Sequence, residues 1–251
     1  TASFRCNDDC SVQLRTERTL GSAWYTHDGN HWVHANYQAC YSGVTDNHAA
    51  ISGDGKKMVI MCPTKSTTQP EAQLWYSNDQ TLGSDWKTNK RTWTDMRSRI
   101  NPTGARVVYS ATQHNPRSYN SGNSGIYMSS NGTKIWIMRK PEYIAGVYNS
   151  GQLVYSFDYE NDFQTWTTKN GFPSASMSCV RDASVCVTSG FVDSFSSPSQ
   201  SHTPIIQVSH DYGMTWATIK TGASYEASVV SAGTWDVDIS QDGSRIACWM
   251  A

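Results

Sequence analysis

IQVSHDYGMTW, residues 206–216, is a strand-like alternation that breaks at Ser209 into Asp211, Gly213 and Thr215 and closes on Trp216. The order of these residues has a local cause. A carboxylate can accept backbone N–H groups within its own turn, glycine supplies positive φ, and an indole packs beneath. Upstream lies MSCVRDASVCVTS (177–189), whose alternation also runs into a tight turn and out again. The same pattern recurs in AAISGDGKKMVIM (49–61), IYMSSNGTKIWIM (126–138) and VDISQDGSRIACW (237–249). Recurrence of one pattern along a chain is the mark of a repeat architecture.

Asp54-Gly55, Asn131-Gly132 and Asp242-Gly243 at the turns predict two-residue type I′ hairpins, which need positive φ at both central residues. Ala183 replaces glycine after Asp182, so that turn is expected to depart from the others. Counting outward, Ile51 faces Met58, Met128 faces Ile135, Cys179 faces Cys186 and Ile239 faces Ile246, which places the two cysteines within disulfide reach.

The full Ser-x-Asp-x-Gly-x-Thr-Trp run at 209–216 resembles the Asp-box of the BNR repeat propellers, a group best known from sialidases. Looser copies are WYTHDGNHW with Asp28, WYSNDQTLGSDW with Asp79, and VYSFDYENDFQTW with Asp158, the last without the glycine. The intervals from Asp54, Asn131 and Asp182 to the next box aspartate are 25, 27 and 29 residues. The resemblance implies an all-β fold, a small β-propeller of four blades with five as the alternative. Asp28, Asp79, Asp158 and Asp211 are read as structural and not catalytic. Because no hairpin is recognised before Asp28 and no box after Asp242, the N- and C-terminal strands are expected to share one blade and close the ring. The whole of 1–251 is taken as one domain. Arg99-Ile100-Asn101-Pro102 matches the sialidase RIP motif only with an inserted residue, which argues against sialidase activity.

A net charge of -1 excludes generic nucleic-acid affinity, which needs an excess of Lys and Arg. No apolar run is long enough to cross a bilayer. Seven cysteines without a CxxC pair, the sequon Asn131-Gly132-Thr133 as a glycosylation site and a chain beginning at Thr1 imply a secreted protein. Cys248 is expected to clasp Cys6 or Cys10.

The long segments between hairpins fall on the rim opposite the boxes, the expected functional face. Residues 87–117 carry seven of the 20 basic residues against one acid, Asp95, and are read either as an anion-binding rim or as a solvated insertion. The expected ligand-binding set is Arg97, Arg99, Arg117 and Arg139 with Tyr143, Tyr148 and Trp235 as sugar-stacking surfaces. His48, Tyr127, Asp236 and Asp238 fall on the innermost strands at positions facing the axis. With Glu226 they are the candidate acid–base groups, or the ligands of a cation on the axis, or ordinary polar lining. Adjacent Tyr225 and Glu226 point to opposite faces of one strand, and His31 and His34 differ in parity, which argues against a histidine metal site. Three functions follow: a secreted protein binding an anionic glycan or a surface protein, a glycoside hydrolase or polysaccharide lyase, or a structural component of an extracellular assembly.

Overall fold

The computed structural model describes residues 4–16, 22–35, 48–62, 73–79, 86–88, 91–96, 126–139, 142–144, 147–149, 152–161, 163–170, 172, 174–196, 199–221, 225–226 and 236–249. These are strands and turns, with one 3-10 turn at Tyr159–Asn161. Two compact units are distinguished. The first comprises Thr1–Gln113, Ile126–Ile137 and Val154–Thr168; the second comprises His114–Gly125, Met138–Leu153 and Lys169–Ala251.

The N-terminal sheet is β1 (Phe4–Cys6), β2 (Gln13–Thr16), β3 (Ala23–Thr26) and β4 (Val33–His34), antiparallel and in chain order. The next is β5 (His48–Ile51), β6 (Lys57–Cys62), β7 (Gln73–Asn78) and β8 (Thr94–Asp95). A third is built from β9 (Ile126–Met128) and β10 (Ile135–Arg139), continued after the ribbon β11 (Glu142–Ile144) and β12 (Val147–Asn149) by β13 (Gln152–Ser156) and β14 (Thr167–Asn170). The fourth is β15 (Ser174–Cys179), β16 (Cys186–Ser196), β17 (Ser199–Ser209) and β18 (Ala217–Thr221), with β19 (Tyr225–Glu226) on β17. A hairpin of β20 (Asp236–Ile239) and β21 (Ile246–Trp249) completes the described chain. These four-stranded up-and-down sheets are the blades of a small β-propeller.

The four expected cross-strand pairs are all in register. Cys179 and Cys186 are joined by a disulfide with Cα atoms 4.1 Å apart. The pairs do not all reach the core, since Ile246 is 37% exposed. Leu14, Tyr25, Ile51, Met58, Ile60 and Trp75 form one core between the first two blades. Val59, Met61, Leu74, Tyr76, Ile126, Ile135, Ile137 and Phe163 form the next. Val180, Val187, Val208, Val237 and Ile239 do the same in the second unit.

The first hairpin turns differ from the type I′ expectation. In the turn at 52–57, Gly55 N–H donates to Ser52 O and Ser52 N–H to Lys57 O, and only Gly55 has positive φ, at 72°. This is a type I turn closed by one left-handed residue, the common solution for a longer hairpin connection. Ala183 (φ 62°) makes the same bonds as Gly132 and Gly243, so its turn does not depart from the others. The left-handed region is costly for alanine but not closed to it.

The shared terminal blade is overturned. β1 and β2 form a hairpin ahead of Asp28, with Cys10 N–H to Asn7 O, Asn7 N–H to Val12 O and Cys10 at φ 56°. The N-terminal sheet is therefore a blade in its own right, and β20 pairs with β21. Cys6 is bonded to Cys10, which removes the clasp expected with Cys248. β16 and β17 continue in unbroken register to Ser196 opposite Ser199, so this connection between hairpins is itself a strand ribbon.

Candidate functional site

Each first turn spends its acidic side chain on its own backbone. Asp54 Oδ1 accepts from Ser52 Oγ (2.6 Å) and Lys56 N–H (3.0 Å). Asp242 Oδ1 accepts from Ser240 Oγ and Ser244 N–H. Asn131 stands in this place in the third blade, its Oδ1 accepting from Ser129 Oγ, Thr133 N–H and Thr133 Oγ1. The sequon thus coincides with the repeat's own turn. Within the first unit the turns are also tied together: Asp8 N–H reaches Gly53 O (3.2 Å), Gly53 N–H reaches Ser130 O (2.6 Å), and Ser130 Oγ donates to Asp8 Oδ2 (2.8 Å). Buried Lys57 adds a bond to Asn131 O, with its Nζ 3.7 Å from the Tyr159 ring centre.

The turns between third and fourth strands behave alike. Asp211 accepts from Thr215 N–H (2.8 Å) and Thr215 Oγ1 (2.6 Å), while Gly213 N–H donates to Ser209 Oγ and Trp216 Nε1–H to Gly213 O. Asp158 likewise holds Thr165 N–H and Oγ1. Its missing glycine is replaced by fully buried Phe163 at φ 57°, whose carbonyl takes the Trp166 Nε1–H. Asp28 accepts from Asn30 and His31 N–H and pairs with the His31 ring and Lys87 Nζ (3.0 Å). The His31 N–H bond, ahead of the side-chain partners, holds this carboxyl well below the usual range.

Asp242, held chiefly by Ser240 Oγ and Ser244 N–H, titrates near 2. Asp211 does so too, because its bonds from Thr215 outweigh the desolvation that pushes it up. A carboxyl depressed in the fold stabilises it above the unfolded value of 3.8, and that contribution disappears as pH falls toward 2. The melting temperature should therefore drop between pH 4 and pH 2, and less so in an Asp211→Asn, Asp242→Asn double variant already lacking both charges. A variant with the unaltered chain's acid slope would disprove the assignment.

Of the seven basic residues at 87–117 the described ones are Lys87 and Arg91: Lys87, between β7 and β8, pairs with Asp28, between β3 and β4, and Arg91 is 3% exposed beneath the turn at 52–57. Arg91 Nη1 donates to Lys56 O (2.7 Å) and Nη2 to Gly55 O (2.6 Å), its guanidinium lies 5.4 Å from the Tyr25 ring, and its N–H donates to Tyr25 Oη. Burial lowers it to about 10, so it remains charged. His27, stacked on Trp86 at 4.9 Å, is pushed by burial to about 4 and is neutral at physiological pH. These two residues are structural, and a sequence shows no sign of it because burial is set by other strands.

Arg97, Arg99, Arg117 and Trp235 lie outside the described residues. Arg139 ends β10. Tyr143 and Tyr148 are direct cross-strand partners in the β11–β12 ribbon. Glu226 sits opposite Ser201, and Asp236 opposite Trp249. His48 and Tyr127 occupy β5 and β9, adjoining strands of the first unit, and are half-buried. Asp238 is exposed and accepts from Ser178 Oγ of β15 (2.7 Å). No group of three metal-ligating side chains occurs among the described residues.

No protein-family model matches the chain, and no curated protein sequence does. Among solved structures it is similar to the Dos1 propeller, at 10% identity and TM-score 0.49 over 99% of this chain and 65% of that one. It is similar to the β-propeller domain of the Trilobed protease from Pyrococcus furiosus, at 11% identity and TM-score 0.46 over 99% and 62%. The polysaccharide lyase Uly1 is matched at 10% identity and TM-score 0.45 over 93% and 50%. The chain thus spans between half and two-thirds of these three proteins. The chain's own strand pairing is that of an all-β fold of four-stranded antiparallel sheets, as in a small β-propeller.

Proposed function

We propose that the chain is a secreted binding protein for an anionic glycan, and that its aspartate turns are Asp-boxes with a purely structural role. The observation that carries this is the state of the carboxylates. Every described carboxyl whose titration is displaced is pushed down by hydrogen bonds to its own turn, whereas a general acid needs one raised toward neutrality. A rigid set of blades with its turns closed in this way is suited to presenting longer connections and blade faces for recognition. The two disulfides fit an oxidising compartment. No described helix is long and apolar enough to cross a membrane.

A glycan array of acidic and neutral saccharides, followed by product analysis of the retained sugars, tests this reading. Retention of acidic glycans without cleavage is expected. Cleavage would transfer the chain to the carbohydrate-active enzymes, and absence of retention would overturn the proposal.

A further inference from the structure

One row of side chains crosses the whole N-terminal blade. Phe4 is opposite Arg15, Arg15 opposite Trp24, and Trp24 opposite His34, so the four share a face. The alternate residues Leu14, Tyr25 and Val33 supply the core shared with the second blade. On the first face, the Arg15 guanidinium lies 4.6 Å from the Trp32 ring centre and 5.8 Å from that of Trp24. The His34 ring meets Trp24 edge-on at 4.9 Å. Phe4 is 51% exposed, and Arg15, Trp24, Trp32 and His34 are half-buried.

Counted from the first turn, Arg15 occupies the position of Ile60 and Ile137 in the following blades, which are 0% and 1% exposed. An aliphatic core position has become a cation. Among the described residues no carboxylate pairs with it. Its Nε and the Trp24 Nε1 are buried donors without a hydrogen-bond partner. Leaving such donors unmatched is unfavourable, so the fold carries this cation at a cost.

We infer that this face of the first blade is the binding site for a carboxylate-bearing saccharide. The guanidinium fork takes the planar carboxylate, and Trp32 and exposed Phe4 take the apolar face of the pyranose ring. A neutral sugar would leave the cation unmatched. A nucleic acid would need many cations, and the face offers one permanent one. The inference rests on the glycan-binding reading and assigns its site to the first blade.

The test is calorimetric titration of the full chain with a tetramer of galacturonic acid and with its carboxyl-reduced counterpart, a galactose tetramer. The acidic tetramer should bind at least about tenfold more tightly. Arg15→Ile, which installs the residue of the later blades, should weaken it about tenfold or more without lowering the melting temperature. Arg15→Lys should recover only part of the loss, because a point charge lacks the fork. Should Arg15→Ile misfold, Trp32→Ala keeps the charge and removes the stacking surface, and is expected to weaken binding severalfold at an unchanged melting temperature. Binding by the unaltered chain that is indifferent to both substitutions would overturn the site and leave the function standing. Failure of the unaltered chain to bind this tetramer and every acidic glycan on the array would overturn both. A dimer in solution that dissociates in Arg15→Ile would assign the face to a second copy and also overturn the site.

Discussion

Arg91→Ala should destabilise the protein by about 3–5 kcal/mol, a loss comparable to breaking a buried charged network. The guanidinium is almost fully buried, and its two nitrogens satisfy the carbonyls of Gly55 and Lys56 at 2.6 and 2.7 Å. Truncation leaves Gly55 O without this donor and Lys56 O with only the Asp79 N–H (3.1 Å), and opens a void beneath the turn. Part of the effect follows from the removal of an apolar stem, so Arg91→Met separates the contributions. Methionine fills the volume and should restore about 1–2 kcal/mol, leaving the cost of the bonds lost at Gly55 O and Lys56 O. Urea unfolding followed by tryptophan fluorescence reads both values. If Arg91→Ala costs less than about 1 kcal/mol, the turn at 52–57 does not depend on this side chain.

Gly55→Ala should cost about 2–4 kcal/mol, the sum of left-handed strain and overpacking. At φ 72° an added Cβ would approach Val12 Cγ2 to 2.6 Å and Val12 Cβ to 2.7 Å. The latter atom is anchored to the backbone and cannot swing away. Gly243 is the control. It has the same φ of 72°, but an added Cβ there would find its nearest neighbour, Val180 Cγ1, at 3.4 Å. Gly243→Ala should therefore cost only the strain, about 1 kcal/mol. Ala183 occupies the same conformation naturally, which shows that the strain alone is bearable. Equal losses at both glycines would mean that packing of one turn on the exit of the previous one contributes nothing.

The hairpin repeat was legible because its causes are local. Alternation, an Asp or Asn at the turn and a residue tolerant of positive φ all lie within a dozen positions. The N-terminal hairpin escaped because its left-handed residue is Cys10 in place of glycine. Its signal was present, however: Asp9 Oδ1 accepts from Ser11 N–H and Oγ, repeating the bonds made by Asp182 with Ser184. Once that hairpin was missed, joining the chain ends was the natural way to complete a blade, and the expected clasp of Cys248 followed from the same omission. Phe163 shows the same limit. A buried aromatic was able to replace a turn glycine because the core interactions of Phe163 offset a strain of about 1–2 kcal/mol.

The candidate site was less legible. A run of basic residues in sequence carries no information on where each guanidinium or ammonium ends. Lys87 was drawn to the Asp28 turn and Arg91 beneath the turn at 52–57, while Arg15 attracted no notice among alternating strand residues.

By itself, the sequence determined the all-β class, the repeat, the places of the turns, the four cross-strand registers and the Cys179–Cys186 bridge. All of these depend on residues near one another in the chain and on the two-residue period of a strand. Only the tertiary structure decided that the N-terminal strands make a blade of their own, that Arg91 is a buried clamp, and that Arg15 stands unpaired between two indoles. Those outcomes depend on which face of one blade meets the next, and that is set by contacts between segments far apart in the chain.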